Sequence, residues 1–424
     1  MSQKLNNFSI YFFIYLSFIF LCAVFYLYQK HLVGNDSTIS EWLINYQGGF
    51  TRRGLIGEIS FQIADYLNLS LRFVIFIFQS LLYFIYSILI YLYIKKLPKN
   101  ILTIIAIFSP ILFLYPIAEI EVLARKEIFL YIGFIIFLNL STNKFSKNTQ
   151  LLYVFIIFPI LCLIWEPFIF FYFFVIFIIL INNNNDSLKK ISLKIFLSFS
   201  SSILTALYII MNIMTVEDHQ LMKDALMNNF GEACYMSCAL MGSKSSINAQ
   251  LVGVSSLLSI KILFRYSLII IIGFLPLFIL LYNSKLKEKN IFFDSSKNLL
   301  IPFLILLSST LLLFASMTDW GRVVNMSYTF ALLTYLYLLK NDLIIVDKKV
   351  FFFDNCYQNR KKLFIFLFIL FAFSWNQKTS MRADIASNSL YKIIYNTSKK
   401  IFKYDGIRLF QNSNIIKFHQ KYIE

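Results

Sequence analysis

Apolar stretches of about twenty residues recur from one end of this chain to the other, and that recurrence constrains its fold more than any other feature. A hydrocarbon core of roughly 30 Å takes about 20 apolar residues of helix to cross, and within lipid every backbone N–H and C=O must be paired inside the protein. Of the 424 residues, 58% are hydrophobic, 18% aromatic and only 14% charged, a balance that excludes a soluble domain of this length. Hydropathy predicts about eleven spans, within a range of about 10–12: 9–29, 71–94, 101–116, 128–140, 151–165, 167–182, 191–214, 258–283, 299–316, 327–340 and 363–375. The expected fold class is all-α, a polytopic transmembrane helical bundle with partly helical external loops.

Charge then orients the helices. Short connections carry lysine, at Lys95, Lys96 and Lys99, at Lys144 and Lys147, at Lys189, Lys190 and Lys194, at Lys285, Lys287, Lys289 and Lys297, and from Lys340 through Lys362. They alternate along the chain and mark the cytoplasmic side, with the N-terminus cytoplasmic as well. The other connections, 31–70, 116–127, 165–167, 215–254 and 317–325, are predicted to face outward, and they hold the three tryptophans that precede Trp375 and most of the glutamates and arginines. Eight of the nine arginines fall in or beside outward segments. Arginine grips phosphate with a flat, permanently charged fork, whereas lysine mainly supplies the charge that sets orientation. The split predicts an anion-binding site on the external side. The net charge of +17 lies largely in short loops beside apolar spans, which argues against nucleic acid as a partner.

The expected organisation is an integral membrane domain over 1–375, with external loops 30–70, 116–127, 215–254 and 317–325. A basic tail, 376–424, carries Lys399, Lys400, Lys403 and Arg408 and is expected to lie at the membrane interface. The first apolar run lacks a small-residue cleavage site and reads as an uncleaved signal anchor. Abundant Phe, Ile, Asn and Lys suit an AT-rich bacterial genome. Cys22, Cys162 and Cys356 read as structural, whereas Cys234 and Cys238, four apart in a large external loop, are candidates for a disulfide.

Four segments carry candidate chemistry. In Trp42 to Glu58 the glycines allow close backbone approach or positive φ, the aromatics suit a headgroup or sugar face, and Arg52 and Arg53 suit phosphate; the alternative is an interfacial elbow with snorkelling arginines. Glu119, Glu121, Arg125, Lys126 and Glu127 either face a water-filled cavity or hold a local i, i+4 pair between Glu121 and Arg125. Glu166, in Trp165-Glu166-Pro167, interrupts an apolar run where proline forbids a straight helix. In Asp319-Trp320-Gly321-Arg322, Asp319 is placed to aim the Arg322 fork, with Trp320 as a flat face for a sugar or a lipid boundary; the alternative is an interfacial turn with a local ion pair. Arg265, inside an apolar span, is a further candidate, either facing a cavity or snorkelling to the interface. The sequence contains no glycine-rich nucleotide loop, Ser/His/Asp set or zinc-spaced cluster, so no cofactor or metal is expected.

The Gly-Gly-Phe-Thr-Arg-Arg-Gly core within Trp42 to Glu58, the Asp319-Trp320-Gly321-Arg322 turn and the layout of spans resemble bacterial O-antigen or capsular polysaccharide polymerases of the Wzy type. The likeness covers the chain as an architecture. It implies an inner-membrane enzyme, independent of metal, that joins undecaprenyl-pyrophosphate-linked oligosaccharide repeat units on the periplasmic side. A chain-length regulator and a flippase would be its partners. Arg52, Arg53, Arg125, Lys126, Arg265, Asp319, Trp320 and Arg322 would then bind pyrophosphate and glycan, and Glu166, Glu119 or Glu41, in that order, would take the proton of the attacking hydroxyl. A second reading is a glycosyltransferase using polyprenyl-phosphate sugars, with Asp36 or Glu41 as the acidic residue of its first external loop. A third is a flippase or other transporter of lipid-linked oligosaccharides, against which stands the crowding of charge on one face without an internal repeat.

Overall fold

The computed structural model describes residues 8–33, 37–97, 100–142, 146–184, 186–242, 247–288, 297–381, 393–394 and 397–398. The protein is largely helical. Five helices are long and apolar enough to cross a membrane: Phe8–His31, Leu71–Ile94, Lys147–Ile164, Leu188–Met211 and Ile260–Tyr282. Shorter apolar helical stretches run over Glu127–Leu140, Glu166–Asn182 and Leu300–Ser316. The Phe8–His31 helix shows why this class of sequence is apolar all round: Phe12, Leu16, Ile19, Ala23 and Tyr26 face protein, while Ile10, Phe13, Ile14, Phe18 and Leu21 remain exposed. That helix packs along Leu71–Ile94, and Lys147–Ile164 packs along Leu188–Met211.

Local chemistry sets the helix starts. Ser70, Asn100, Ser146 and Ser259 each accept a hydrogen bond from the backbone N–H three residues on, supplying a partner to one of the donors every helix start leaves open. Thr215 and Asp218 cap each other's backbone at the head of Val216–Phe230.

Two segments expected as single spans are broken. Residues 101–116 form the helix Ile101–Ile107, a turn through Ser109 and Pro110, and the short helix Tyr115–Ala118. Residues 299–316 divide into Leu300–Ser308 and Leu311–Ser316. Breaking a helix inside an apolar bundle strands carbonyls that need donors. Asn325 Nδ2 donates to Ile111 O at 2.6 Å and Leu112 O at 3.1 Å, and Tyr328 Oη donates to Ala106 O at 2.7 Å. Both donors belong to the Trp320–Lys340 helix, which is buried from Trp320 to Leu338 and forms the spine of the bundle.

The spine has two chemically different ends, about 30 Å apart at 1.5 Å per residue. Its first turn carries Arg322 amid carboxylates. Its last residue, Lys340, lies over the Tyr93 ring at 4.1 Å. Next to that end a two-stranded antiparallel ribbon pairs Ser284–Leu286 with Ile344–Val346, Lys285 facing Ile345.

Candidate functional site

At the first end of the spine, charged side chains from four distant stretches of sequence meet: 41–53, 125–127, Glu166 and 319–322. Arg322 Nη1 lies 3.0 Å from Asp319 Oδ2, and its Nη2 pairs with Glu127 and lies 3.4 Å from Glu41 Oε1. Arg125 pairs with the same Glu41 oxygen and approaches Asp319 at 3.5 Å. Arg53 holds Glu166 with two parallel bonds, Nε to Oε2 and Nη2 to Oε1, both 2.8 Å, and Arg52 stands 3.6 Å from the same carboxylate. Lys126 Nζ donates to the carbonyl of Arg53, tying the two halves together.

The loop 41–58 owes its shape to contacts within the protein. A Cβ at Gly57 would meet Ile44 O at 1.8 Å, and one at Gly48 would meet Asp218 O at 1.8 Å. Their close approaches are thus made by neighbouring backbone, which replaces the expected approach of a ligand. Gly49 takes φ +116°. Arg53 itself sits at φ 63° and Ala124 at φ 49°, the left-handed region that costs an L-residue roughly 1–2 kcal/mol. Trp42 Nε1 and Gln79 Nε2 both donate to the Ala124 carbonyl, at 3.2 and 3.3 Å. Backbone strain therefore falls on Arg53 and on the residue before Arg125, where surrounding contacts hold it.

Several expectations are corrected. Glu121 and Arg125 do not pair as helical neighbours, because the helix stops at Val122 and the backbone reverses at Ala124; Arg125 turns to Glu41 and Asp319 instead. Trp320 offers no open face for a sugar: it is buried, with Phe314 and Tyr266 edge-on against it at 5.4 and 5.1 Å and its Nε1 donating to Phe314 O. Arg265 lies on the Ile260–Tyr282 helix, outside the ion pairs above, one residue before Tyr266. Glu119 stands in a neighbouring group, 3.3 Å from both Lys378 Nζ and Asn376 Nδ2. Asp36 lies outside the described residues.

Sequence reasoning missed the strap that closes this end. Residues 376–381, expected as the start of a basic interfacial tail, run through the protein beside the Asp319 turn. Gly321 N donates to Thr379 O at 3.1 Å, Met381 N to Thr318 O at 3.0 Å, and Gln377 Nε2 to Gly321 O at 2.8 Å. A Cβ at Gly321 would meet Lys378 O at 2.0 Å, so only glycine admits the strap. Apart from 393–394 and 397–398, the rest of the tail lies outside the described residues. Cys234 and Cys238 are joined by a disulfide in the segment after Val216–Phe230.

Burial raises the Glu41 carboxyl, but the guanidiniums of Arg125, Arg322 and Arg53 outweigh it and hold the group well below the usual carboxylate range. Burial pulls the Lys126 ammonium down to about 7 against the opposing attraction of Glu41. Beneath the cluster lies a cavity of about 40 Å³ lined by Arg125, Glu127, Arg322, Tyr115, Tyr131 and Asn325, among others, room for about two or three waters. Arg125 Nε, Arg322 Nε and Glu41 Oε2 are buried without a hydrogen-bond partner. Among the described residues no grouping of His, Cys, Asp and Glu is arranged to hold a metal.

The cluster has two layers. Glu41, Arg125 and Arg322 are almost wholly enclosed, whereas Arg52, Arg53 and Glu166 keep 37%, 16% and 21% of their side-chain surface open. The inner layer can fix geometry, and the outer layer can meet an anion. Comparison with protein-family models, with curated proteins and with solved structures finds no match to this chain.

Proposed function

We propose that this chain is a polytopic inner-membrane glycosyltransferase of about eleven spans whose arginine-bearing end faces the periplasm. It acts as a Wzy-like polymerase, joining undecaprenyl-pyrophosphate-linked repeat units into O-antigen or capsule. The observation that carries this reading is the convergence of Arg52, Arg53, Arg125 and Arg322 on one charged cluster with a partly open outer layer. Transfer from a pyrophosphate-linked donor leaves a diphosphate whose developing charge needs fixed cations. The outer pair, Arg52 and Arg53, are the cations that meet it in this reading. Arg125 and Arg322 hold the framework, since their forks are committed to Glu41, Glu127 and Asp319.

Among the proposed bases, Glu41 fits poorly: it is enclosed, and its proton affinity is depressed by three guanidiniums. Glu166 is the carboxylate held by the two open arginines, Arg52 and Arg53. Glu41 does favour one feature of the second reading, a polyprenyl-phosphate-sugar glycosyltransferase, because an acidic residue follows the first long helix and reaches the centre of the cluster. Deletion of the gene separates the possibilities. A polymerase loss leaves a single repeat unit on the lipid A or capsule acceptor; a flippase loss leaves none; loss of a sugar-adding transferase leaves full-length chains of altered composition.

A further inference from the structure

Two observations about Glu166 point beyond its role as a candidate base. Both oxygens of its carboxylate are engaged by the parallel donors of Arg53, with Arg52 3.6 Å from one of them. That is the geometry a guanidinium presents to two oxygens of a phosphate. All three side chains also belong to the open layer, and Arg53 is pinned by its left-handed backbone and by Lys126 on its carbonyl. The backbone that carries the fork is therefore held, and the carboxylate in the fork lies where solvent reaches it.

We infer that Glu166 is an internal competitor for the anion site: it occupies the Arg53 fork at rest and is displaced when a phosphate ester binds, which frees it to act as the base. This rests on the function proposed above and adds a switch to it. In the resting state neither job is open, because the base is neutralised and the anion site is filled. A diphosphate on Arg53 and Arg52 opens both at once. The acceptor hydroxyl then gives its proton to a Glu166 oxygen, and its oxygen forms the new bond to the anomeric carbon. The bond from that carbon to the diphosphate breaks, its electron pair staying on the diphosphate held by the arginines, and Glu166 later yields its proton to water. No substrate-independent attack by water is promoted while the carboxylate stays clamped.

The experiment is calorimetric titration of inorganic pyrophosphate into the full chain in detergent micelles, using wild type, Glu166→Gln, Arg53→Ala and the double variant. Removing the competing charge in Glu166→Gln is expected to tighten binding by about fivefold or more, while transfer between lipid-linked repeat units is lost. Arg53→Ala and the double variant are expected to lose binding. Equal or weaker binding by Glu166→Gln, with Arg53→Ala still defective, overturns the competitor role and leaves the anion-site reading standing. Wild-type binding by Arg53→Ala overturns that reading itself. Glu166→Asp, which keeps the charge but shortens its reach, gives an independent arm: intermediate tightening supports the exchange and weakening contradicts it. Phosphatidylglycerol added to the micelles separates the two sources of phosphate. Its failure to displace pyrophosphate supports a diphosphate site, and ready displacement assigns the fork to bulk lipid and overturns the proposal.

Discussion

Arg322→Ala tests the enclosed layer of the cluster. Arg322 is 4% exposed and pairs with Glu127, Asp319 and Glu41, of which Glu41 and Glu127 are themselves buried. Removing the guanidinium leaves Glu41 with Arg125, but it takes from Glu127 the cation that neutralises it. Breaking a buried pair by deleting one partner costs about 3–5 kcal/mol, because the remaining charge is stranded without water. Asp319, 29% exposed, adds little, since solvent screens it. The expected loss is therefore about 3–5 kcal/mol, a large share of the roughly 5–15 kcal/mol that holds a typical fold. Glu127→Gln in the same chain removes the stranded charge, so the double variant should recover about 1–3 kcal/mol relative to additivity. Unfolding titrations of the full chain in mixed micelles, followed by tryptophan fluorescence, measure all three. A loss below about 1 kcal/mol for Arg322→Ala, or strict additivity of the pair, refutes the enclosed network. The same argument makes Arg53→Ala the cleaner probe of activity, because Arg53 is more open and its removal leaves the partly solvated Glu166 with Arg52.

Three further outcomes follow from the geometry. Gly57→Ala places a methyl against Ile44 O and Trp42 O, a clash with backbone that cannot rotate aside, and should cost roughly 3 kcal/mol or more in the same titration; a smaller loss means that the loop yields. Ala124→Gly relieves a left-handed φ of 49° and should raise stability by about 0.5–1 kcal/mol after the entropy of glycine is subtracted; destabilisation contradicts strain at that residue. For Lys126 the folded value of about 7 lies below the ordinary 10.5, so between the two the unfolded chain binds more protons. The cost of burying the charge is full below pH 7 and is relieved as pH rises. Lys126→Met should therefore flatten the rise in unfolding free energy between about pH 7 and 9; an unchanged slope removes Lys126 as its source.

The sequence carried the parts of this site but not their pairing. Arginine in the connections predicted to face outward was legible because it runs against the charge bias expected there, and Asp319–Arg322 because three residues in one turn bring a carboxylate to a fork. The break at Trp165-Glu166-Pro167 followed from proline, and Trp165 is indeed extended there. The meeting of Glu41, Arg125 and Arg322 depends on how segments separated by up to 281 residues pack, which no local pattern encodes. Asn376 to Thr379 looked like the polar end of any apolar helix, and only the close backbone contact at Gly321 shows that they return inward. The break at Ser309 and Thr310 had no proline to announce it; their hydroxyls bond back to carbonyls of the preceding turn, Ser309 to Leu306 and Thr310 to Leu307.

The most direct test reconstitutes the full chain in vesicles with lipid-linked repeat units and follows both lengthened glycan and released undecaprenyl pyrophosphate. Wild type is expected to form products of two and more repeats with matching release of the carrier, and Arg53→Ala to form none while unfolding at a midpoint close to wild type. Transfer at the wild-type rate by folded Arg53→Ala, or no transfer by either protein, contradicts the account of the arginine cluster as the diphosphate site of a polymerase.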